Sequence, residues 1–302
     1  MTEAPSTGAA GAAASVLVRD LLSGPVRPAR VLAAGPAATY LEAGGRVLAV
    51  VRAGGVRLPC AAMLAGGPLP AAGSRVAVGC GAVHQDGRPL VTVRRWFDPR
   101  VRLAGVDRQA VARLARVVRS GGRIDALLPV DAAERLADDL ARGDASGVVA
   151  ALLGRGTGLT PAGDDLLAGA LAALRALGSP AAGELGTAVR ARAPAATTRL
   201  SAALLEAADV GALVPEAAGV LRALAGRGAV EAAAGRLVDL GHTSGWHLAA
   251  GLLVGVTHGG VGVRDRFPAL EGDGFRRKRT PVGGLAGAGV ADTAPIDGGT
   301  AS

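Results

Sequence analysis

The chain has 302 residues, half of them apolar, only 2% aromatic, and a net charge of +8; its length suffices for two modest domains, each with its own core. The basic charge is arginine everywhere except Lys278 in the "RRKR" stretch. With arginines dispersed among acids and few rings to stack on bases, nucleic-acid binding is excluded as the function, and no lysine in the body of the chain suits Schiff-base chemistry. The most apolar stretch, Leu248 to Val256, falls far short of the roughly 20 residues of a membrane span. The N-terminus has an early acid and no basic region of a signal peptide, so a cytoplasmic protein without membrane association is expected.

Residues 1–27 read as a weakly ordered segment, with small-residue low complexity over the first 14. Residues 28–103 read as a small antiparallel β domain, barrel-like. "ATYLEA", "RVLAVVRA", "VRLPCAAM", "RVAVGCGAV" and "LVTVRRW" are short β-prone runs separated by glycine turns. Cys60 and Cys80 stand apart without a Cys-x-x-Cys pair, so both are expected to be buried small hydrophobes rather than a disulfide or zinc site.

Residues 104–262 change to helical periodicity, which predicts an all-helical domain and, with the β domain, an α+β fold. "DRQAVARLARVVRS" is amphipathic, and "DAAERLADDLARG" places Glu134 three residues after Asp131, a capping-box spacing. Further helices are predicted over 146–153, 161–177, 182–192, 198–209, 215–226, 229–239 and 245–257. Residues 263–302 carry no periodicity and read as a disordered tail.

"GRGTGLTPAGDDLLAG", residues 154–169, is the chain's most distinctive stretch. Thr160 before Pro161 predicts a helix start with threonine as cap and proline in the first position. Asp164 and Asp165 follow in the first turn, where the helix dipole favours negative charge. Gly163 and Gly169 each cost about 1 kcal/mol against alanine inside a helix, so something other than helix propensity keeps them. The glycines before the cap allow backbone amides to turn toward an anion. The loop is neither a Walker A sequence nor a dinucleotide fingerprint.

"GHTSGWHLAAGLLVGV", residues 241–256, repeats this device: Gly158 matches Gly241, Thr160 matches Thr243, Gly163 matches Gly245, Leu166 matches Leu248, and Gly169 matches Gly251. Asp165 then falls opposite His247. Two helix N-termini are therefore expected to converge on one small anion. A third stretch, "ATTRLSAALLEAADVG", offers Thr197, Thr198 and Ser201 at a helix start, with Arg199 available to an anion. His242 and His247 sit about 140° apart on a helix and form no metal pair. His84 and His258 read as surface loop residues.

These three stretches, following a β domain that ends in W-x-D-P, resemble the AllH-like family, which includes one subunit of oxamate carbamoyltransferase. The resemblance covers roughly residues 28–262. It implies carbamoyl transfer between carbamoyl phosphate and oxamate, with phosphate and oxalurate on the other side, in purine and allantoin degradation, and it implies partner subunits in a hetero-oligomer. The ligand set expected from the residues is Arg155, Gly156, Gly158, Thr160, Gly163, Thr198, Arg199, Gly241, His242, Thr243 and Ser244. Asp164 or Asp165 would orient the attacking amide nitrogen or a bound Mg²⁺, and His247 would relay a proton. Two alternatives stand beside this: a non-catalytic assembly or regulatory subunit, and a stand-alone protein with another substrate.

Overall fold

The computed structural model describes residues 9–120, 128, 131–241 and 243–260. Among them an eight-stranded closed barrel precedes a helical body. The strands are β1 (Ala10–Ser15), β2 (Arg27–Ala34), β3 (Ala38–Ala43), β4 (Arg46–Val51), β5 (Ala61–Leu64), β6 (Val76–Gly79), β7 (Ala82–Gln85) and β8 (Arg88–Phe97), joined around the barrel in the order β1-β5-β4-β3-β2-β6-β7-β8. Helix α1 (Arg19–Ser23) follows β1. Three hairpins turn on two residues with positive φ, Gly44–Gly45, Cys80–Gly81 and Asp86–Gly87. That is the turn whose twist matches the flanking strands.

Three features differ from the sequence reading. Ala10–Ser15, placed there in a weakly ordered terminus, is the strand that closes the barrel between β5 and β8. Its small residues fit because interior positions of a narrow barrel must alternate in size, and Ala12 and Ala14 are buried there. Closure also makes the sheet mixed: β1 runs parallel to β8 and β4 parallel to β5. Finally, the run "RVAVGCGAV" is two strands, folded back at Cys80 and Gly81. His84 accordingly lies on β7, its Nε2 3.2 Å from the Gly79 carbonyl oxygen.

The helical body comprises α2 (Arg108–Ser120), α3 (Ala132–Arg142), α4 (Ala145–Leu152), α5 (Ala162–Ala176), α6 (Ala181–Ala196), α7 (Arg199–Ala208), α8 (Pro215–Leu224), α9 (Val230–Val238) and α10 (Ser244–Gly259). His258 lies in the last turn of α10, not in a loop. Asp131 does not cap α3; its carboxylate takes the Arg135 guanidinium instead, Nε to Oδ2 2.7 Å. Helices α5 and α10 form the centre. Every residue of α5 except Arg175 is buried, and α10 is buried from His247 to Val256, as helices apolar on all sides must be. No helix among the described residues is long and apolar enough to cross a membrane.

The segment after β8 is stitched to the helices by backbone bonds from Val101 to Gly211, Leu103 to Ala176 and Asp107 to Leu224. A buried aspartate, Asp209, ties α5 and α6 to the end of α7 through Arg175 and Arg190. The expected tail over 263–302 lies outside the described residues.

Candidate functional site

The two copies of the glycine device fold alike. After α4, Arg155 N–H donates to the Leu152 carbonyl at 3.0 Å, and Gly163 N–H donates to the Arg155 carbonyl at 2.8 Å. After α9, Leu240 N–H donates to Leu237 at 3.0 Å, and Gly245 N–H donates to Leu240 at 3.1 Å. A Cβ on Gly163 would overlap the Leu152 carbonyl oxygen, and one on Gly245 the Leu237 oxygen. Each first-turn glycine thus lets a new helix start directly on the end of the preceding one. Packing, not a ligand, accounts for Gly163.

Helices α5 and α10 then run side by side in the same direction. A Cβ on Gly169 would overlap the Leu248 carbonyl oxygen, and one on Gly251 the Leu166 oxygen. The contacts are reciprocal, so a local two-fold axis runs along the seam. It brings both N-termini to one end, where Thr160 Oγ1 and Ser244 Oγ lie 3.1 Å apart. Each terminus carries roughly half a positive charge, and placing two together invites a negative group.

Thr160 is turned to this meeting point rather than to its own helix. Pro161 occupies the N-cap, and its carbonyl accepts from Asp164 N–H at 2.9 Å and Asp165 N–H at 3.1 Å. The expected threonine cap with proline in the first helical position is therefore corrected. Thr243 likewise makes no side-chain cap; its carbonyl lies 2.9 Å from His247 Nδ1.

The two adjacent aspartates part company. Asp164, 1% exposed, accepts from Gly154 N–H at 2.7 Å, from Ser201 Oγ at 2.6 Å and from the Thr197 hydroxyl. It binds the glycine loop to the start of α7 through these three bonds. Asp165 is 9% exposed, and its Oδ2 is buried without a hydrogen-bond partner. Burial pushes its carboxyl well above the usual carboxylate range; the Ser244 and Thr160 hydroxyls oppose this and the charge of Asp164 adds to it.

Thr198 joins the same network, accepting Ser201 N–H at 3.0 Å while its hydroxyl donates to the Leu159 carbonyl at 2.6 Å. Arg199 does not. Its Nε lies 3.2 Å from Glu42 on β3, and it lines a cavity of about 250 Å³ between the barrel and α7. The helical turn from Thr198 to Arg199 directs the two side chains apart. Arg155, Gly158 and Gly241 are exposed, and Gly156 is half-buried. His247 is fully buried beneath the N-terminus of α10, edge-on to Trp246. His242 lies outside the described residues. Sequence reasoning did not find the bond from Gly154 to Asp164, which joins residues with no periodic relation.

A magnesium ion is poorly served here. Among the described residues no three His, Cys, Asp or Glu side chains are grouped to hold a metal. Asp164 already accepts three hydrogen bonds, and burial disfavours charge on Asp165.

Fold and site together define an α+β protein, a closed barrel followed by a helical body, whose repeated glycine loops bring two helix N-termini over an acidic pair. The family model described as oxamate carbamoyltransferase subunit AllH matches residues 152–256. It is the family that the sequence resembles. The match spans the segment from the end of α4 into α10, both glycine devices included, and the barrel lies outside it. No curated protein and no solved structure matches the chain.

Proposed function

We propose that the chain is a subunit of an oxamate carbamoyltransferase-like complex and that the paired N-termini of α5 and α10 hold a small oxyanion. One observation carries this reading, the approach of Thr160 to Ser244 above Asp165. Two helix ends held together by glycine-to-carbonyl packing form a preorganised positive site, and the loops around it supply amides from Gly156 to Thr160. The family match supports a carbamoyltransferase complex as the setting, with partner subunits providing the rest of the active centre. In that setting the anion is oxamate or the phosphate end of carbamoyl phosphate. Asp164 acts as scaffold. This favours a binding and orienting role for the chain over acid–base chemistry on both aspartates.

The test is denaturation of the purified chain with and without oxamate, oxalurate, carbamoyl phosphate and inorganic phosphate. A ligand at a hundred times its dissociation constant stabilises by about 2.7 kcal/mol. Stabilisation that disappears in Gly158→Ala and Ser244→Ala is expected. Stabilisation by none of the four, in the chain alone and with its partner subunits, would defeat the reading.

A further inference from the structure

Two carboxyl groups adjacent in sequence, at one helix N-terminus, have opposite surroundings. Asp164 is met by three donors, as an ionised carboxylate requires. Asp165, beside it and nine-tenths buried, meets only the Ser244 and Thr160 hydroxyls, and its Oδ2 has no hydrogen-bond partner. A buried polar atom without a partner is costly, so an unpartnered oxygen at a positive helix end marks a place for something else. A second anion there would be repelled by an ionised Asp165 as well as by Asp164. A carboxylic acid would instead supply a donor.

We propose that Asp165 serves the paired helix ends as a neutral carboxylic acid that donates a hydrogen bond to the bound oxyanion. The proposal rests on the reading of these ends as an oxyanion site, and deepens it: Asp164 carries the charge, and Asp165 carries the proton. Environments that push two neighbouring acids apart divide their roles in this way. The other titratable and charged groups at this end are consistent with it. His247 on α10 has its Nδ1 against the Thr243 carbonyl, Arg155 lies on the exposed loop, and Arg199 on α7 is turned to Glu42. The site accordingly selects a small anion with an oxygen free to accept, either a carboxylate such as oxamate or a phosphoryl group.

The experiment is calorimetric titration of the whole chain at neutral pH with oxamate and, separately, with inorganic phosphate. Asp165→Asn keeps a neutral donor and is expected to bind within about threefold of the natural chain, whereas Asp165→Ala is expected to bind about tenfold more weakly or worse. The probe that binds identifies which oxyanion the site takes. Infrared difference spectra of the natural chain against Asp165→Asn, with no ligand, are expected to show a protonated carboxyl band at neutral pH that the variant lacks; this keeps the test sound even if Asp165→Ala does not fold. Binding that tightens about tenfold in Asp165→Asn, as removal of a nearby negative charge would produce, overturns the proposal and leaves the oxyanion site standing. Unchanged binding in Asp165→Ala, or no carboxyl band, does the same. If neither probe binds the natural chain, the oxyanion reading falls and the proposal falls with it.

Discussion

Thr160 and Ser244 are 84 positions apart in sequence, and their hydroxyl oxygens are 3.1 Å apart in space. Each stands at the opening of a long buried helix, and each helix follows a loop off the end of a shorter one. The match is therefore three-dimensional as well as textual from Gly163 to Gly169 and from Gly245 to Gly251, while the loops before them differ in length. The repeat places the two copies about a common axis, with Gly169 and Gly251 at the crossing.

That crossing leaves no room for a methyl group. Gly169→Ala and Gly251→Ala would each drive a Cβ into backbone of the opposite helix. The cost of overpacking, about 1–3 kcal/mol, should outweigh the gain of about 1 kcal/mol in helix propensity. Urea denaturation should show both variants destabilised. Gly219→Ala and Gly235→Ala, where a Cβ meets nothing within 4 Å, should be neutral or stabilising. The same sign at all four positions would refute the close seam.

Asp164→Ala removes one carboxylate and strands three donors, Gly154 N–H and the Thr197 and Ser201 hydroxyls. A loss of about 3 kcal/mol is expected, the range for breaking a buried charged network. Denaturant midpoints measure it, and a change below about 0.5 kcal/mol would show that the network contributes little.

The pH dependence of stability should reveal Asp165. Its folded-state proton affinity is raised by burial, so the folded protein holds a proton that the unfolded chain releases near pH 3.9. That contribution is full below the unfolded value and is lost as pH rises through the folded one. Stability of the natural chain should thus fall relative to Asp165→Asn as pH rises from about 4. A difference independent of pH between acid and neutral conditions would count against the buried acid.

The two thiols should be readily told apart. Cys80, expected to be buried, is exposed because the chain folds back there in a hairpin turn, whereas Cys60 is buried, and burial pushes its thiol up to about 11. At mildly alkaline pH a thiol reagent should modify Cys80 at once and Cys60 only when denaturant is added. Rapid modification of both in the native protein would mean that the barrel opens at the cavity beside Cys60.

Much of this architecture was legible in the chain because its signals are local. Alanine- and leucine-rich periodicity set α2 to α10 within a few residues, since one buried face or a wholly buried helix imposes its own spacing. Two-residue glycine turns marked most of the hairpins, because only residues that accept positive φ make them. The repeated glycine device was legible for the same reason, and the family match falls upon it. Strand β1 was not, because alanine and glycine announce no strand until two neighbours, β5 and β8, supply the edges they fill.

Within the site the division is sharper. Sequence alone determined that two helix starts of one design exist and that hydroxyls, glycines and carboxylates cluster around them. Only the tertiary structure decided what each does. Asp164 and Asp165 are the same residue type in the same first turn, yet one is met by Thr197, Ser201 and Gly154, and the other by the Thr160 and Ser244 hydroxyls with its Oδ2 left without a partner. Arg199 was a plausible anion ligand until Glu42 on the barrel claimed it. The physical reason is common to all three: a charged or polar side chain takes its role from the partners that burial brings to it, and those partners come from distant parts of the chain.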